Sequence, residues 1–430
     1  MLRHLAIAPL LLATALTVPA ATTQGDRCSG VRVPGAEYAV SSCLTDLTTT
    51  GTTRTGHTDK EDWKGLVAPD TVTPSGVPGV QIDGYFPDTS TTNTNHGWNH
   101  DSQFVIRLPK NWNGGLVVAG PPGTREQYAN DPIISDQVLA KGYAYAATDK
   151  GNTGDELYKD GDRPGDAIME WHRRVAELTV AAKKVTDQHY GRTPRVTYAA
   201  GLSAGGYLVR WQLEHYPELY TGGIDWNALT FTKEGSLLTT LPPALRAFPR
   251  LTQGDQAARD AARDEIIAAG YPADSEKQWG YHYAYQWDLL QRVVREEVDP
   301  GYDGATQGGT PFCPAGTGPG CDTDYDFASR PRSVHRAVER ISLTGKIQRP
   351  LISIQGTLDA LTPPAAFGDV YDRMVADAGR APLHRYVHVP GGTHTDGLVV
   401  IDKEAYKPML PSFVAAFGEL EAWARPTTRS

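Results

Sequence analysis

The chain has 430 residues, which at about 150 residues per domain allows two or three domains or one large α/β unit. Charged residues make up 21% and hydrophobic residues 40%, which excludes a disordered chain and leaves apolar material for a sizeable core. Lys and Arg number 41 against 50 Asp and Glu, a net charge of −9 with no basic block, and this argues against a nucleic-acid or anionic-membrane partner.

In chain order, Arg3 and His4 precede an apolar run from Leu5 to Val18, followed by Pro19-Ala20-Ala21. A basic start, an apolar stretch too short to span a bilayer and small residues at its end predict a signal peptide over residues 1–21, hence a secreted protein without a membrane span. Four cysteines remain beyond it: Cys28, Cys43, Cys313 and Cys321. Three pairings are possible, and the sequence-local one, Cys28–Cys43 with Cys313–Cys321, is expected because it closes the smallest loops.

Residues 22–80 are rich in Thr, Gly and Pro and read as an irregular N-terminal wrap with short strands. From there the texture alternates. Gln103 to Leu108, Gly115 to Gly120, Tyr143 to Thr148, Arg195 to Ala200 and Gly222 to Ile224 read as strands. Gly165 to His189 and Ala204 to Tyr216 read as helices. Such alternation predicts an α/β protein with a mostly parallel central sheet. The rhythm stops near Asn227. Helical text at Gln253 to Ala269 and Ser275 to Val298 follows, then a Gly/Pro/Asp loop from Asp299 to Pro331. The rhythm resumes with a strand at Pro350 to Gly356, a helix at Pro364 to Ala378, a strand at His384 to Val389 and a closing helix at Pro408 to Trp423. The expected organisation is a core of residues 22–226 and 346–430, with residues 227–345 inserted between late strands as a helical cap over the strands' C-terminal ends, where open α/β sheets bind ligands.

The chemistry concentrates at Gly201-Leu202-Ser203-Ala204-Gly205-Gly206. A Gly-x-Ser-x-Gly run between an apolar strand and a helix is the setting of a nucleophile elbow: the turn is strained, and side chains two residues either side of the Ser would keep strand and helix apart. A hydroxyl nucleophile needs a base, and the base a carboxylate to orient it. In an α/β-hydrolase fold these follow in the order Ser, acid, His. Asp359 follows the strand ending at Gly356, with Asp225 as the rival acid. His394 lies in the Gly-rich loop after the last strand, whereas His384 and His388 lie within that strand. The oxyanion donors are expected to be the N–H of Ala204 and one from Pro121-Pro122-Gly123-Thr124. Prolines have no N–H, so the second donor is Gly123 or Thr124.

The segments Val175 to Lys183, His189 to Pro194, Tyr198 to Gly206 and Glu214 to Ile224, with Leu108 to Gly114 and Ala147 to Gly151, resemble the tannase/feruloyl esterase group of secreted α/β-hydrolases. The resemblance runs over about residues 100–225 and, more loosely, 340–400. It implies the triad positions for Ser203, Asp359 and His394. The family carries cysteines beside its Ser and its His, where this chain has Leu202 and Thr395. The family also holds calcium in its lid, for which Asp322, Asp324 and Asp326 are the candidate ligands. Otherwise no cofactor is expected.

In the cap, Trp279, Tyr283 and Trp287 recur at four-residue spacing along one helix face. With Trp226 they are the aromatic candidates for substrate contact, although the cap's own core would use the same pattern. The expected activity is a serine esterase acting on carboxylic esters, small or polymeric, of aromatic or hydroxy acids. An exported aminopeptidase and a non-catalytic binding protein on the same scaffold are the alternatives.

Overall fold

A computed structural model describes Cys28, residues 30–302 and residues 322–424. The expected signal segment and the expected Cys313–Cys321 pairing fall outside the described residues.

The strands are β1 (Tyr38–Leu44), β2 (Gly79–Tyr85), β3 (Gln103–Pro109), β4 (Gly115–Ala119), β5 (Ala144–Thr148), β6 (Val196–Leu202), β7 (Gly222–Trp226), β8 (Leu351–Gly356) and β9 (His384–Val389). They form one sheet in the order β1-β2-β3-β5-β4-β6-β7-β8-β9. The pairs β1–β2, β2–β3 and β3–β5 are antiparallel. Every neighbouring pair from β5 to β9 is parallel.

Parallel neighbours need crossover connections, and helices supply them on both faces. The helices are α1 (Thr49–Thr55), α2 (Asp136–Ala140), α3 (Asp166–Tyr190), α4 (Ala204–His215), α5 (Leu237–Gln253), α6 (Gln256–Ala268), α7 (Glu276–Tyr285), α8 (Trp287–Val298), α9 (Arg332–Ile341), α10 (Gly368–Asp377) and α11 (Leu410–Trp423). Strands β4 and β8 are buried along their whole length because both faces are covered. Their side chains alternate between two cores: Leu116 and Val118 join the one that contains α3 and α4, while Val117 and Ala119 join the one that contains α11.

The N-terminal segment is more regular than its composition suggests. Strand β1 is the sheet's edge, and β2 joins it to β3. The Cys28–Cys43 disulfide, with Cα atoms 5.5 Å apart, ties the chain ahead of β1 to that edge. Between β7 and β8 the described residues contain helices α5 to α9 and no strand. The helical text at Ser275 to Val298 is two helices, broken at Gln286. No described helix is long and apolar enough to cross a membrane.

Register decides where the loops emerge. Leu202 pairs with Trp226, Trp226 with Ile354, and Gly356 with Val389. The C-terminal ends of β6, β7, β8 and β9 therefore lie along one edge, and the segments that follow them meet there.

Candidate active site

At the end of β6 the chain reverses sharply into α4. Ser203 occupies φ 59°, ψ −119°, a region that L-residues avoid. The surrounding glycines are required sterically. A Cβ on Gly201 would lie 2.2 Å from the Gly205 carbonyl oxygen, and one on Gly205 would lie 2.3 Å from that of Gly120. The turn is held by backbone bonds: Ser203 N–H donates to Trp226 (2.9 Å), and the Ser203 carbonyl accepts from Tyr207 (3.0 Å) and Leu229 (3.1 Å). The elbow thus presents Ser203 at the N-terminus of α4, where free N–H groups and the helix dipole favour negative charge.

The turn after β8 holds Asp359, which is fully buried. One carboxylate oxygen accepts from the backbone N–H of Leu361 (2.8 Å) and Thr362 (2.9 Å). The other accepts from the Thr362 hydroxyl (2.6 Å) and from Nδ1 of His394 (2.8 Å). Burial pushes this carboxyl up, but the charge and hydrogen bond of His394 and the bonds from Thr362 outweigh it and hold it below the ordinary carboxylate value. A carboxylate only accepts, so Nδ1 carries the hydrogen and Nε2 of His394 keeps its basic lone pair. Asp225, the rival acid, is engaged elsewhere. It receives Arg210 through Nε (3.0 Å) and Nη2 (2.9 Å), and the Ser353 hydroxyl (2.6 Å).

Ser203 and His394 line one cavity of about 110 Å³ together with Gly123, Arg125, Tyr281, His282, Gln286, Leu290 and Leu361. Among the described residues no hydrogen bond joins the Ser203 hydroxyl to His394. Neither the Ala204 nor the Gly123 amide is spent on a backbone bond there. Gly123 takes φ 52°. Of the two loop candidates it is the one at the cavity, whereas the Thr124 carbonyl accepts from Gly154 (3.2 Å). Asp62 anchors the same loop to the N-terminal segment by accepting from the N–H groups of Glu126 (2.9 Å) and Tyr128 (2.8 Å). A larger hollow of about 960 Å³, bordered by Asp88, Thr92, Asp160 and Glu170, lies apart from these residues.

The aromatic candidates do not line the cavity. Trp226 belongs to a central strand covered on both faces and packs against Phe413 at 6.1 Å between ring centroids. Trp279 and Trp287 are fully buried in the helical segment, and Tyr283 stacks on Phe248 at 4.4 Å. The three acidic candidates for calcium are likewise committed. Asp322 pairs with Arg295 (2.6 and 3.1 Å), Asp324 accepts from Tyr302 (3.0 Å), and Asp326 caps a short turn through Ala328 N–H (3.2 Å). Among the described residues no group of three acidic, His or Cys side chains is arranged to hold a metal.

Two kinds of residue escaped the sequence pattern. Asn227, just past β7, donates from Nδ2 to the carbonyls of Thr393 (2.8 Å) and His394 (3.0 Å), and its Oδ1 accepts from Gly356 N–H (2.7 Å). It thereby ties the His loop to the end of β8; its position after a strand end was the only sequence signal. From the helical segment, Gln278 Nε2 donates to the Leu358 carbonyl (2.8 Å) and Trp287 Nε1 to the Ala360 carbonyl (2.9 Å), one on each side of Asp359. His282 is buried in the cavity wall. Nothing in the sequence separated Gln278 and His282 from ordinary helix-packing residues, and Trp287 stood out as an aromatic candidate for substrate contact, not as a donor beside the acid.

Residues 89–234 match the family model described as tannase and feruloyl esterase. This stretch is tannase/feruloyl esterase-like. It contains the elbow and the Gly123 loop, while Asp359 and His394 lie beyond it. No curated protein matches the chain in sequence. An esterase from Aspergillus oryzae is similar in fold, with a TM-score of 0.53 and 13% identity over 86% of this chain and 82% of that one. Feruloyl esterase B from Aspergillus oryzae aligns at a TM-score of 0.48 and 14% identity, covering 86% of this chain and 83% of that one. The tannin acyl hydrolase of Aspergillus niger aligns at 0.47 and 13%, covering 85% and 83%. The architecture of the chain is that of the α/β-hydrolases. Leu202, beside Ser203, is buried, and Thr395, beside His394, donates its hydroxyl to the Gly65 carbonyl (2.9 Å).

Proposed function

We propose that this protein is an exported serine hydrolase that cleaves carboxylic esters, of aromatic or hydroxy acids in particular, with the helices between β7 and β8 as its cap. One arrangement supports the reading above all others: a strained Ser203 at a helix N-terminus shares a cavity with His394, whose other nitrogen is bonded to the buried Asp359. The mechanism follows from the chemistry of these groups. Ser203 Oγ adds to the ester carbonyl while His394 Nε2 takes its proton. The oxyanion receives the N–H groups of Ala204 and Gly123. His394 returns the proton to the leaving alkoxide, which departs as the alcohol and leaves an acyl-Ser203. Water, deprotonated by His394, then adds to the acyl carbon, and collapse releases the acid and restores Ser203. Asp359 keeps the imidazole in the productive tautomer and stabilises the imidazolium.

Purified protein assayed on p-nitrophenyl acyl esters and on aminoacyl anilides tests this. We expect ester hydrolysis, and a fall in kcat of about 10⁴-fold or more in Ser203→Ala. Hydrolysis that survives Ser203→Ala refutes the mechanism. Cleavage of anilides without esters would assign a peptidase, and a well-folded protein active on neither would be a binding protein.

A further inference from the structure

His282 lies on α7, in the wall of the cavity that holds Ser203 and His394, and it is 1% exposed. Neither ring nitrogen has a hydrogen-bond partner. Leaving both nitrogens of a buried imidazole unbonded is unfavourable, and such groups in native structures call for an explanation. A loosely held helix does not supply one. Gln278, one turn earlier on the same face, and Trp287, just beyond the break at Gln286, are bonded to the backbone on each side of Asp359. The helix that carries His282 is therefore fixed relative to the acid and its histidine.

We propose that His282 reads a hydroxyl group on the substrate and so sets which esters the site accepts. The inference rests on the esterase reading given above. Burial, opposed by Asp359 and reinforced by His394, pulls His282 down to about 3, so near neutral pH its ring offers one N–H and one lone pair. A hydroxyl matches that set, being donor and acceptor at once. A carboxylate would bring only acceptors, and would bring its charge close to Asp359. An apolar group would leave both nitrogens unbonded. The neighbouring cation does not match a hydroxyl in the same way: Arg125, two of whose N–H groups are bonded to the carbonyls of Asp62 and Lys64, has donors only and cannot also accept the hydroxyl's hydrogen. The rest of the wall includes Leu66, Leu290, Leu361 and Leu398, which can cover a hydrocarbon body but cannot orient it.

The hydroxyl can sit on the acid or on the alcohol, and two isosteric pairs separate these. The acyl pair is p-nitrophenyl 3-hydroxybutyrate against the 3-methylbutyrate ester; the alcohol pair is 2-hydroxyethyl butyrate against propyl butyrate. The wild-type protein should favour the hydroxylated member of one pair by about 30-fold in kcat/KM. His282→Leu should abolish that preference, the hydroxylated ester losing far more kcat/KM than its unhydroxylated partner, while His282→Asn should keep part of it. A preference unchanged in His282→Leu, or no preference in either pair for wild type, overturns the proposal. Calorimetric titration of Ser203→Ala and of Ser203→Ala/His282→Leu with the same esters reads the preference without turnover. A hydroxyl preference in binding that the second substitution removes supports the role of His282 even where the Ser203 mechanism has failed its own test.

Discussion

Ser203 carries a conflict between folding and chemistry that can be measured. Its positive φ is unfavourable for any residue with a Cβ, by roughly 1–3 kcal/mol, and only glycine escapes it. Ser203→Ala removes the hydroxyl but keeps the strain, whereas Ser203→Gly removes both. Both variants should be inactive, and thermal melts should show the Gly variant more stable than the Ala variant by about 1 kcal/mol; equal melting temperatures would mean that the turn is not strained. At this scale the sequence was informative wherever chemistry dictates residue type at a fixed place in the chain. Gly201 at the end of β6, with Ser203 and Gly205 just past it, and Asp359 and His394 in the segments after β8 and β9, stood out as candidates because each sits where a strand hands over to a turn. Asn227 follows a strand end too, but an amide that joins two loops has no motif, and its three bonds exist only once β7, β8 and the His394 loop are side by side. Trp226 misled for the converse reason: aromatic character suggested contact with substrate, but its strand has neighbours on both sides and both faces covered.

Among the elements, the buried strands β4, β5, β6 and β8 announced themselves as short apolar runs, because a strand covered on both faces needs nothing else. The N-terminal pairing of β1 and β2 did not, since register is a property of two segments and not of either alone. Helix α5 was hidden by Pro242, Pro243 and Pro249; its apolar face, with Leu237, Leu241 and Leu245 buried, overrides what proline removes. The aromatic stripe of the helical segment turns out to be its core, with one consequence for catalysis. Trp287 fills the interior and also donates to the Ala360 carbonyl beside the acid. Trp287→Phe keeps most of the packing and deletes that donor, leaving a buried carbonyl unbonded at a loss of about 1–3 kcal/mol. If the helices position Asp359, turnover should fall in Trp287→Phe while KM stays within about twofold, the pattern expected when only the transition state is affected. A stability loss with unchanged kcat would reduce Trp287 to a packing residue. On β6 and α4, Gly205→Ala should be worse than either change, because the added Cβ meets the Gly120 backbone at 2.3 Å and neither chain can retreat. We expect little soluble protein from that variant.

For the whole molecule, the acids buried during folding set how stability responds to pH. Burial pushes Asp62 up to about 7, Asp136 to about 7 and Glu297 to about 8, against the residual help of their hydrogen bonds. In the unfolded chain such carboxyls ionise near pH 4. Between about pH 4 and pH 8 the native state therefore holds protons that the unfolded state has released, so stability falls as pH rises through that window and levels off above it. Asp359 acts in the opposite sense: held low by His394, it contributes stability that is fully present above the unfolded value and is lost only as pH falls through its own lower one. The two together place the stability maximum on the acidic side of neutrality. Glu297 isolates the effect. It joins α8 to the start of α3, its carboxyl accepting the Ala167 N–H (3.0 Å), and an amide can accept the same bond without titrating. Chemical denaturation of wild type and Glu297→Gln across pH 4 to 9 should show a shallower decline in the variant, by at most about 1.4 kcal/mol per pH unit, the limit for one group. Superimposable pH profiles would mean that Glu297 is ionised in the folded protein throughout this range, so that its burial between the helical segment and α3 is offset by contacts stronger than its backbone bonds from Ala167 and Ile168.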